Sequence, residues 1–351
     1  MRNKKIVLFI GALFAGLGSG LAADKTPPSY PFLITLPGRS FEVWDIAPSG
    51  KAKRSKIMPG GVVEETMEGS TAPALSPDGK RLAYLQGNNL WIKNFPEGNP
   101  RKITQEGFGK DKKYEPVFPL ISGWSQDGTQ LVYFLKHAEP GEEGMEEGPA
   151  LEVKPLAYGY YFYDLATSKT ESLALEGFSF CGWDSQKEAL FQQFNYTTVL
   201  AFAFGDSNHR EFTIQVPGAT EAGQFFMSRS GSRALAQVGD GKSWTKVVSV
   251  DLTSGAATEV SPLFKWAECN WPSLSPSGKK TAWIQVVLDD QGVGKPFLVV
   301  DQKAKLKLKT VARYRWVDDE KIVLVDSPPP GKLELLVIRA NDGKVLDKHP
   351  L

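Results

Sequence analysis

The sequence predicts an all-β chain of repeated four-stranded antiparallel blades, a β-propeller, and three observations predict it. Similar strings recur as LSPDGKRLAYLQ at 75–86, WSQDGTQLVYFL at 124–135 and LSPSGKKTAWIQ at 274–285. Looser copies are WDSQKEALFQQF at 183–194, MSRSGSRALAQV at 227–238 and WVDDEKIVLVD at 316–326. Units therefore begin near residues 72, 118, 178, 223, 268 and 312. The first gap is 46 residues and the last 44, which fits one blade and not a helical repeat of about 34. Finally, no window of comparable strength carries a 3.6-residue apolar period, so helices should be scarce.

Taken from the N-terminus, MRNKK followed by IVLFIGALFAGLGSGLAA has the basic start, apolar run and small residues of a secretory signal peptide. We expect it to span residues 1–23 and to be removed, with 24–30 as a linker and 31–351 as a single propeller domain. A retained anchor is the rival, but the run is glycine-rich and short for a bilayer span. No Cys sits near the end of the apolar run, so a lipoprotein route is not expected. A periplasmic or secreted protein with no membrane span after cleavage is the expectation.

Residues 31–71 offer PFLITL, FEVWDIA, RSKIM and VVEETM as four strands, which favours seven blades. The alternative is six blades with an N-terminal extension closing the ring, because unclosed end blades would expose unpaired edges. Each later unit carries its own turn. In the first, Ser76 can bond the backbone two residues on, Pro77 presets φ, Asp78 suits the third position and Gly79 accepts positive φ. After it come RLAYL or QLVYFL, continuous apolar runs that suit a strand covered on both faces. A third strand such as NLWIKNF and a polar outer strand such as RKIT finish the unit. The unit beginning at 118 holds an insert at 136–159 with five glutamates between Glu139 and Glu147, read as a solvated loop.

Phrases of the form SPDGKRLAYLQGNNLWIKN…RKIT resemble the repeats of TolB-type periplasmic propellers, and equally those of the propeller preceding the catalytic domain in dipeptidyl peptidase IV-type enzymes. The resemblance covers most of residues 31–351 and implies a fold more than a function. It implies an N-terminal α/β domain on the TolB side and a C-terminal hydrolase on the peptidase side, and this sequence supplies residues for neither.

Chemistry is sparse. No G-x-S-x-G elbow is present to raise a serine nucleophile on a strained turn. His137, His209 and His349 are the only histidines, and none has another His or a Cys at ligand spacing, so no metal site is assigned. Asp240, Asp289 and Asp290 lie beside Gly in loops, which leaves calcium possible but unsupported; no cofactor is expected. Trp91, Trp124, Trp183, Trp283 and Trp316 sit at or near strands and read as packing between blades before they read as a sugar platform. Cys181 and Cys269 open units two blades apart, too far for a bridge that needs Cα atoms within about 7 Å, so two free thiols are expected.

Nothing in the charge suggests a nucleic-acid binder. Removing Arg2, Lys4 and Lys5 from 41 basic residues leaves 38 against 40 acidic ones, a balance of −2. The expected function is a non-catalytic scaffold of the cell envelope, monomeric, binding a protein or peptide. Alternatives are a metal-dependent lactonase or lyase working in the central channel, or a carbohydrate-binding lectin. The candidate binding residues recur in the connections that lead into the innermost strands: Glu68, Glu115, Glu176, Glu221 and Glu268, with Arg313 near the same place in a further connection. Equivalent units would converge these carboxylates on one channel mouth, where they would focus a negative potential for a cation or basic peptide.

Overall fold

The computed structural model describes residues 30–35, 41–58, 73–104, 117–137, 159–261, 269–309, 313–326 and 333–351, apart from 88, 96, 174, 176, 194–196, 207, 241–243 and 302–303. Every named element in them is a strand. β1 (Tyr30–Thr35), β2 (Phe41–Ile46) and β3 (Ala52–Met58) form a three-stranded sheet. Blade 1 is β4 (Ala74–Leu75), β5 (Arg81–Gln86), β6 (Asn89–Asn94) and β7 (Arg101–Lys102). Blade 2 is β8 (Val117–Trp124), β9 (Gln130–His137), β10 (Gly159–Asp164) and β11 (Lys169–Leu173). Blade 3 is β12 (Phe178–Trp183), β13 (Ala189–Gln193), β14 (Thr198–Phe202) and β15 (His209–Thr213). Blade 4 is β16 (Glu221–Met227), β17 (Arg233–Gly239), β18 (Trp244–Asp251) and β19 (Ala257–Ser261). Blade 5 is β20 (Cys269–Leu274), β21 (Thr281–Leu288), β22 (Gly294–Val300) and β23 (Ala304–Lys307). Blade 6 is β24 (Arg313–Trp316), β25 (Lys321–Asp326), β26 (Glu334–Arg339) and β27 (Val345–Pro350).

Within a blade the strands pair antiparallel in chain order, and each second strand is the most buried. Leu82 to Leu85, Leu131 to Tyr133, Ala189 to Gln192 and Lys321 to Leu324 are all buried, because blades on either side cover both faces. The fourth strand alternates or stays exposed, as in β15. The turn between first and second strands has its glycine at positive φ as expected, but the Ser76 hydroxyl reaches the amide five residues on and not two. Ser76 Oγ accepts the Arg81 amide at 2.9 Å and meets Asp78 Oδ1 at 2.6 Å, while Gly79 N closes on Ser76 O at 2.8 Å. Ser125, Ser228 and Ser275 accept the amides of Gln130, Arg233 and Lys280 in the same way. In blade 5 a serine replaces the aspartate of the turn, and Asp319 of blade 6 reaches across to accept the Ser277 amide at 3.0 Å.

Six four-stranded blades are therefore present, not the favoured seven, and the alternative count of six is the one met. The N-terminal segment adds a sheet of three strands, and the fourth expected there, VVEETM, lies outside the described residues. Its place in the ring follows from a contact repeated at several seams. The turn between third and fourth strands of one blade rests on the fourth strand of the blade before it, as Gly255 does beside Thr213, Gly343 beside Leu306 and Gly205 N on Glu171 Oε2. Gly50, in the turn between β2 and β3, stands in this relation to Leu346 of β27, and Ala52 N donates to Asp347 Oδ2 at 2.8 Å. So β1, β2 and β3 correspond to the second, third and fourth strands of a blade. The segment between PFLITL and FEVWDIA lacks the serine-led turn of blades 1, 2, 4 and 5, but so do the turns of blades 3 and 6, which begin with Asp184 and Val317, so the sequence alone did not mark the offset. Trp44, Ile46 and Ala52 pack with Val317, Val323, Leu335 and Val337 of blade 6 in one apolar cluster, which seals this seam.

The tryptophans serve the seams too. Trp124 Nε1 donates to Ala74 O at 2.9 Å, Trp183 Nε1 to Gly123 O at 3.3 Å and Trp316 Nε1 to Ser273 Oγ at 3.1 Å, each reaching the first strand of the preceding blade. Trp283 is buried and Trp91 half-buried. Cys181 is a free thiol packed against the core of blades 3 and 4, and burial pushes its pKa up to about 12.

Candidate binding face

Each first strand runs into its turn, so all the first turns gather at one end of the channel, here called the turn end. They are tied to one another around the ring. Arg81 Nη1 of blade 1 donates to Gly128 O at 2.9 Å, and Lys187 of blade 3 pairs with Asp127 at 2.7 Å. Gln126 Nε2 reaches Trp183 O and Asp184 O at 3.3 and 3.2 Å. Ser185 N donates to Gly231 O, and Ser230 N to Pro276 O, at 3.0 and 2.9 Å. Arg229 of blade 4 reaches beyond blade 5 to Trp316 O (3.1 Å) and Val317 O (3.4 Å) of blade 6.

Donors in and beside the turns hold Asp78, Asp127, Asp251 and Asp319 in the ionised form, whereas burial raises the pKa of Asp184 in the blade 3 turn. Burial pushes Asp127 up, but the Lys187 ammonium and the Thr129 and Ser125 donors outweigh it and keep its pKa well below the usual range. Burial likewise opposes, and donors outweigh, at Asp78 and Asp319, while at Asp251 the Ser254 amide leads the lowering. A carboxyl whose folded pKa is depressed contributes stability above its unfolded value, about 3.9, and loses it as pH falls through the folded one. The melting temperature should therefore stay nearly level from pH 7 to 5 and drop steeply below about pH 4. Calorimetric scans at stepped pH check this, and a melting temperature that rises between pH 5 and 3 would contradict it.

The opposite end carries the connections into the first strands and the hairpins between second and third strands. Glu221 opens β16 there, half-buried and paired in register with Gly239, and Arg313 opens β24 opposite Val325. Glu68, Glu115, Glu176 and Glu268 lie outside the described residues, as does the Arg313 side chain, so the structure brings two of the six backbone positions to one end and is silent on the rest. The insert leaves blade 2 at His137 and rejoins it at Gly159, which puts its stem at this end; residues 138–158 are outside the described set.

The other candidates have local partners. His209 stacks on Phe202 at 5.2 Å, and His349 Nε2 lies 3.1 Å from Asp347 Oδ2. Asp289 accepts the Gln291 and Val293 amides of its own turn and pairs with Lys295 at 3.1 Å. Among the described residues no three or more His, Cys, Asp or Glu are grouped to hold a metal ion. No helix in them is long and apolar enough to cross a membrane. Sequence reasoning missed Gln126 and Arg229, whose partners lie in other blades and leave no local signal.

A family model described as the dipeptidyl peptidase IV N-terminal region matches residues 52–135. An oligogalacturonate lyase from Vibrio parahaemolyticus is similar in structure over 85% of this chain and 83% of that one, with TM-score 0.54 and 13% identity. A prolyl endopeptidase is similar over 92% of this chain and 50% of its own, with TM-score 0.53 and 13% identity. TolB from Acinetobacter baumannii is similar over 78% and 61%, with TM-score 0.43 and 14% identity. The chain thus spans less than two thirds of the TolB and endopeptidase chains. No curated protein matches it. At these identities the likeness shows the fold alone.

Proposed function

We propose that this propeller, of the TolB and dipeptidyl peptidase IV N-terminal type, is an exported scaffold that binds a protein or peptide at the end opposite its first turns. One observation carries the reading: the turn end is laced from blade 1 to blade 6 by side chain and backbone bonds, ending in the Arg229 bridge. Groups so occupied have little left for a ligand, whereas the opposite end holds Glu221 and the stem of the insert. Acidic residues there suit a basic segment of the partner. A photo-crosslinking residue at Glu221 should capture a partner in the envelope, and one at Gln126 should not. Capture from Gln126 alone would sink the reading.

A lyase-type activity is the second reading, favoured only by the likeness to oligogalacturonate lyases, one of which was solved with manganese. It is separable by metal titration, since a specific site held at about 100 times its dissociation constant stabilises by about 2.7 kcal/mol. The scaffold reading expects no such shift with manganese or calcium.

The insert should be dispensable to folding. Glutamates and glycines offer little apolar area to bury, and loop closure costs only about 0.6 kcal/mol per doubling of length. Replacing 138–158 by a short turn should move the melting temperature by less than about 5 °C. A larger drop means that the segment packs on the ring.

A further inference from the structure

The two sides of the ring differ in the charge of their outer halves, the stretch of each sheet that holds its last two strands and the turn between them. In each of blades 2, 3 and 4 this stretch has one basic residue and two acidic ones. Blade 5 has four basic and one acidic, blade 6 three of each, the N-terminal sheet four and two, and blade 1 three and one. A total charge near zero thus hides a segregation around the rim.

Blades 5 and 6 and the N-terminal sheet join these stretches into one surface. Gly343 of blade 6 rests against Leu306 of β23, and Gly50 against Leu346 of β27, so β23, β27 and β3 follow one another around the rim. The acids of this surface are engaged within it. Glu334 takes Lys309 at 3.2 Å and Lys348 at 2.8 Å, Asp347 takes Lys51 at 3.6 Å and His349 at 3.1 Å, and Asp342 takes Arg339 at 3.2 Å. Glu42 is buried and holds Arg54 at 3.0 Å, while Asp301 Oδ1 accepts the Thr281 amide and hydroxyl. Asp45 stands opposite Lys53 in register without forming an ion pair with it. Among the described residues Lys53, Lys307 and Lys344 are therefore exposed cations that no carboxylate pairs with.

We propose that this rim binds an acidic polysaccharide, its carboxylates meeting Lys307, Lys344 and Lys53 in turn. Lysine is a compact, strongly hydrated charge on a flexible stem, which suits a hydrated polymer whose charges it meets one at a time. On β3, β23 and β27 the one large apolar residue exposed among the described residues is Val345, at 43%, too little to anchor a protein partner or enter a bilayer. The same three strands hold no Phe, Tyr or Trp on which the bases of a single-stranded nucleic acid could stack. The rim is also convex, so a flat membrane would meet few of these lysines at once, whereas a flexible chain can follow it from blade to blade. The surface lies on the outer strands, away from the channel, and stands independently of the scaffold reading.

The test is fluorescence anisotropy of a labelled alginate oligomer of about ten uronate units, titrated with the full chain at about 50 and 200 mM salt. Binding is expected with a dissociation constant of about 10–100 µM at the lower salt and at least about fivefold weaker at the higher, as three or more displaced counterions require. Lys53→Gln, Lys307→Gln and Lys344→Gln combined should weaken it at least about tenfold, and each alone at least about twofold, which keeps the test open if the triple variant fails to fold. Lys80→Gln, Lys169→Gln and Lys279→Gln combined remove the same charge from exposed positions outside this surface and should cost less than about twofold. No alginate binding up to ~1 mM, equal losses in the two triple variants, or tighter binding to an oligothymidylate of the same length or to vesicles containing phosphatidylglycerol would each overturn the proposal.

Discussion

Replacing Arg210 by Met should destabilise the fold by about 3 kcal/mol at neutral pH, the lower end of what is lost when one partner is taken from a buried ion pair. Arg210, on the outer strand β15, donates to Asp184 Oδ2 at 2.8 Å, to Glu188 Oε2 at 2.7 and 2.9 Å, and to Leu252 O of blade 4 at 3.3 Å. The Asp184 side chain is 3% exposed. Burial pushes its pKa up, and Glu188 raises it further against the pull of the Glu188 and Gln186 amides. A carboxyl with a raised folded pKa contributes stability below its unfolded value and loses it as pH rises through the folded one. Without the guanidinium this penalty grows, so the variant should recover much of its loss between pH 7 and about 4.5, where the wild type gains little. Urea melts at the two pH values measure it. A variant within about 1 kcal/mol of wild type at pH 7 would mean that the network contributes no more than a surface pair.

Gly231→Ala should cost at least about 3 kcal/mol, against about 1 kcal/mol for Gly292→Ala, which shares its backbone strain and nothing else. Both glycines have positive φ, 63° and 76°. A Cβ on Gly292 meets nothing within 4 Å, whereas on Gly231 it would strike the Gln126 amide and lie 2.5 Å from Asp184 C and 2.6 Å from Trp183 O. The amide could swing aside only by giving up its bonds to the next blade, and the two backbone atoms cannot. Parallel chemical denaturation of the two variants separates collision from strain; equal losses would show that the turns are not packed as described.

What the sequence revealed was local. Ser76, Asp78 and Gly79 announce a turn within one unit, and their hydrogen bonds follow from chain neighbours alone, so blades 1 to 6 could be placed from the string. Whatever depends on two blades meeting was hidden. The bond from Arg229 to Trp316 O spans 87 positions and has no pattern along the chain. The N-terminal sheet was read as a four-stranded blade because apolar runs were tallied where no turn signature says which of them is a second strand. Glu221 and Arg313 could be assigned an end of the ring from strand direction, whereas convergence of carboxylates depends on side chains and on connections that carry no repeat.

The seal between the N-terminal sheet and blade 6 sets the order in which the chain can finish folding. The Ala52 amide and its acceptor Asp347 are 295 positions apart. At about 5–20 residues per second of synthesis, the first sheet waits roughly 15–60 s for the surface that covers Trp44 and Ile46. Throughout that interval a nascent chain presents an apolar sheet face with no native neighbour, while the intervening blades form against one another from contacts close in sequence. Synthesis thus makes the sticky sheet well before the blade that covers it, a schedule that favours holding the chain unfolded, or chaperoned, until β27 is made.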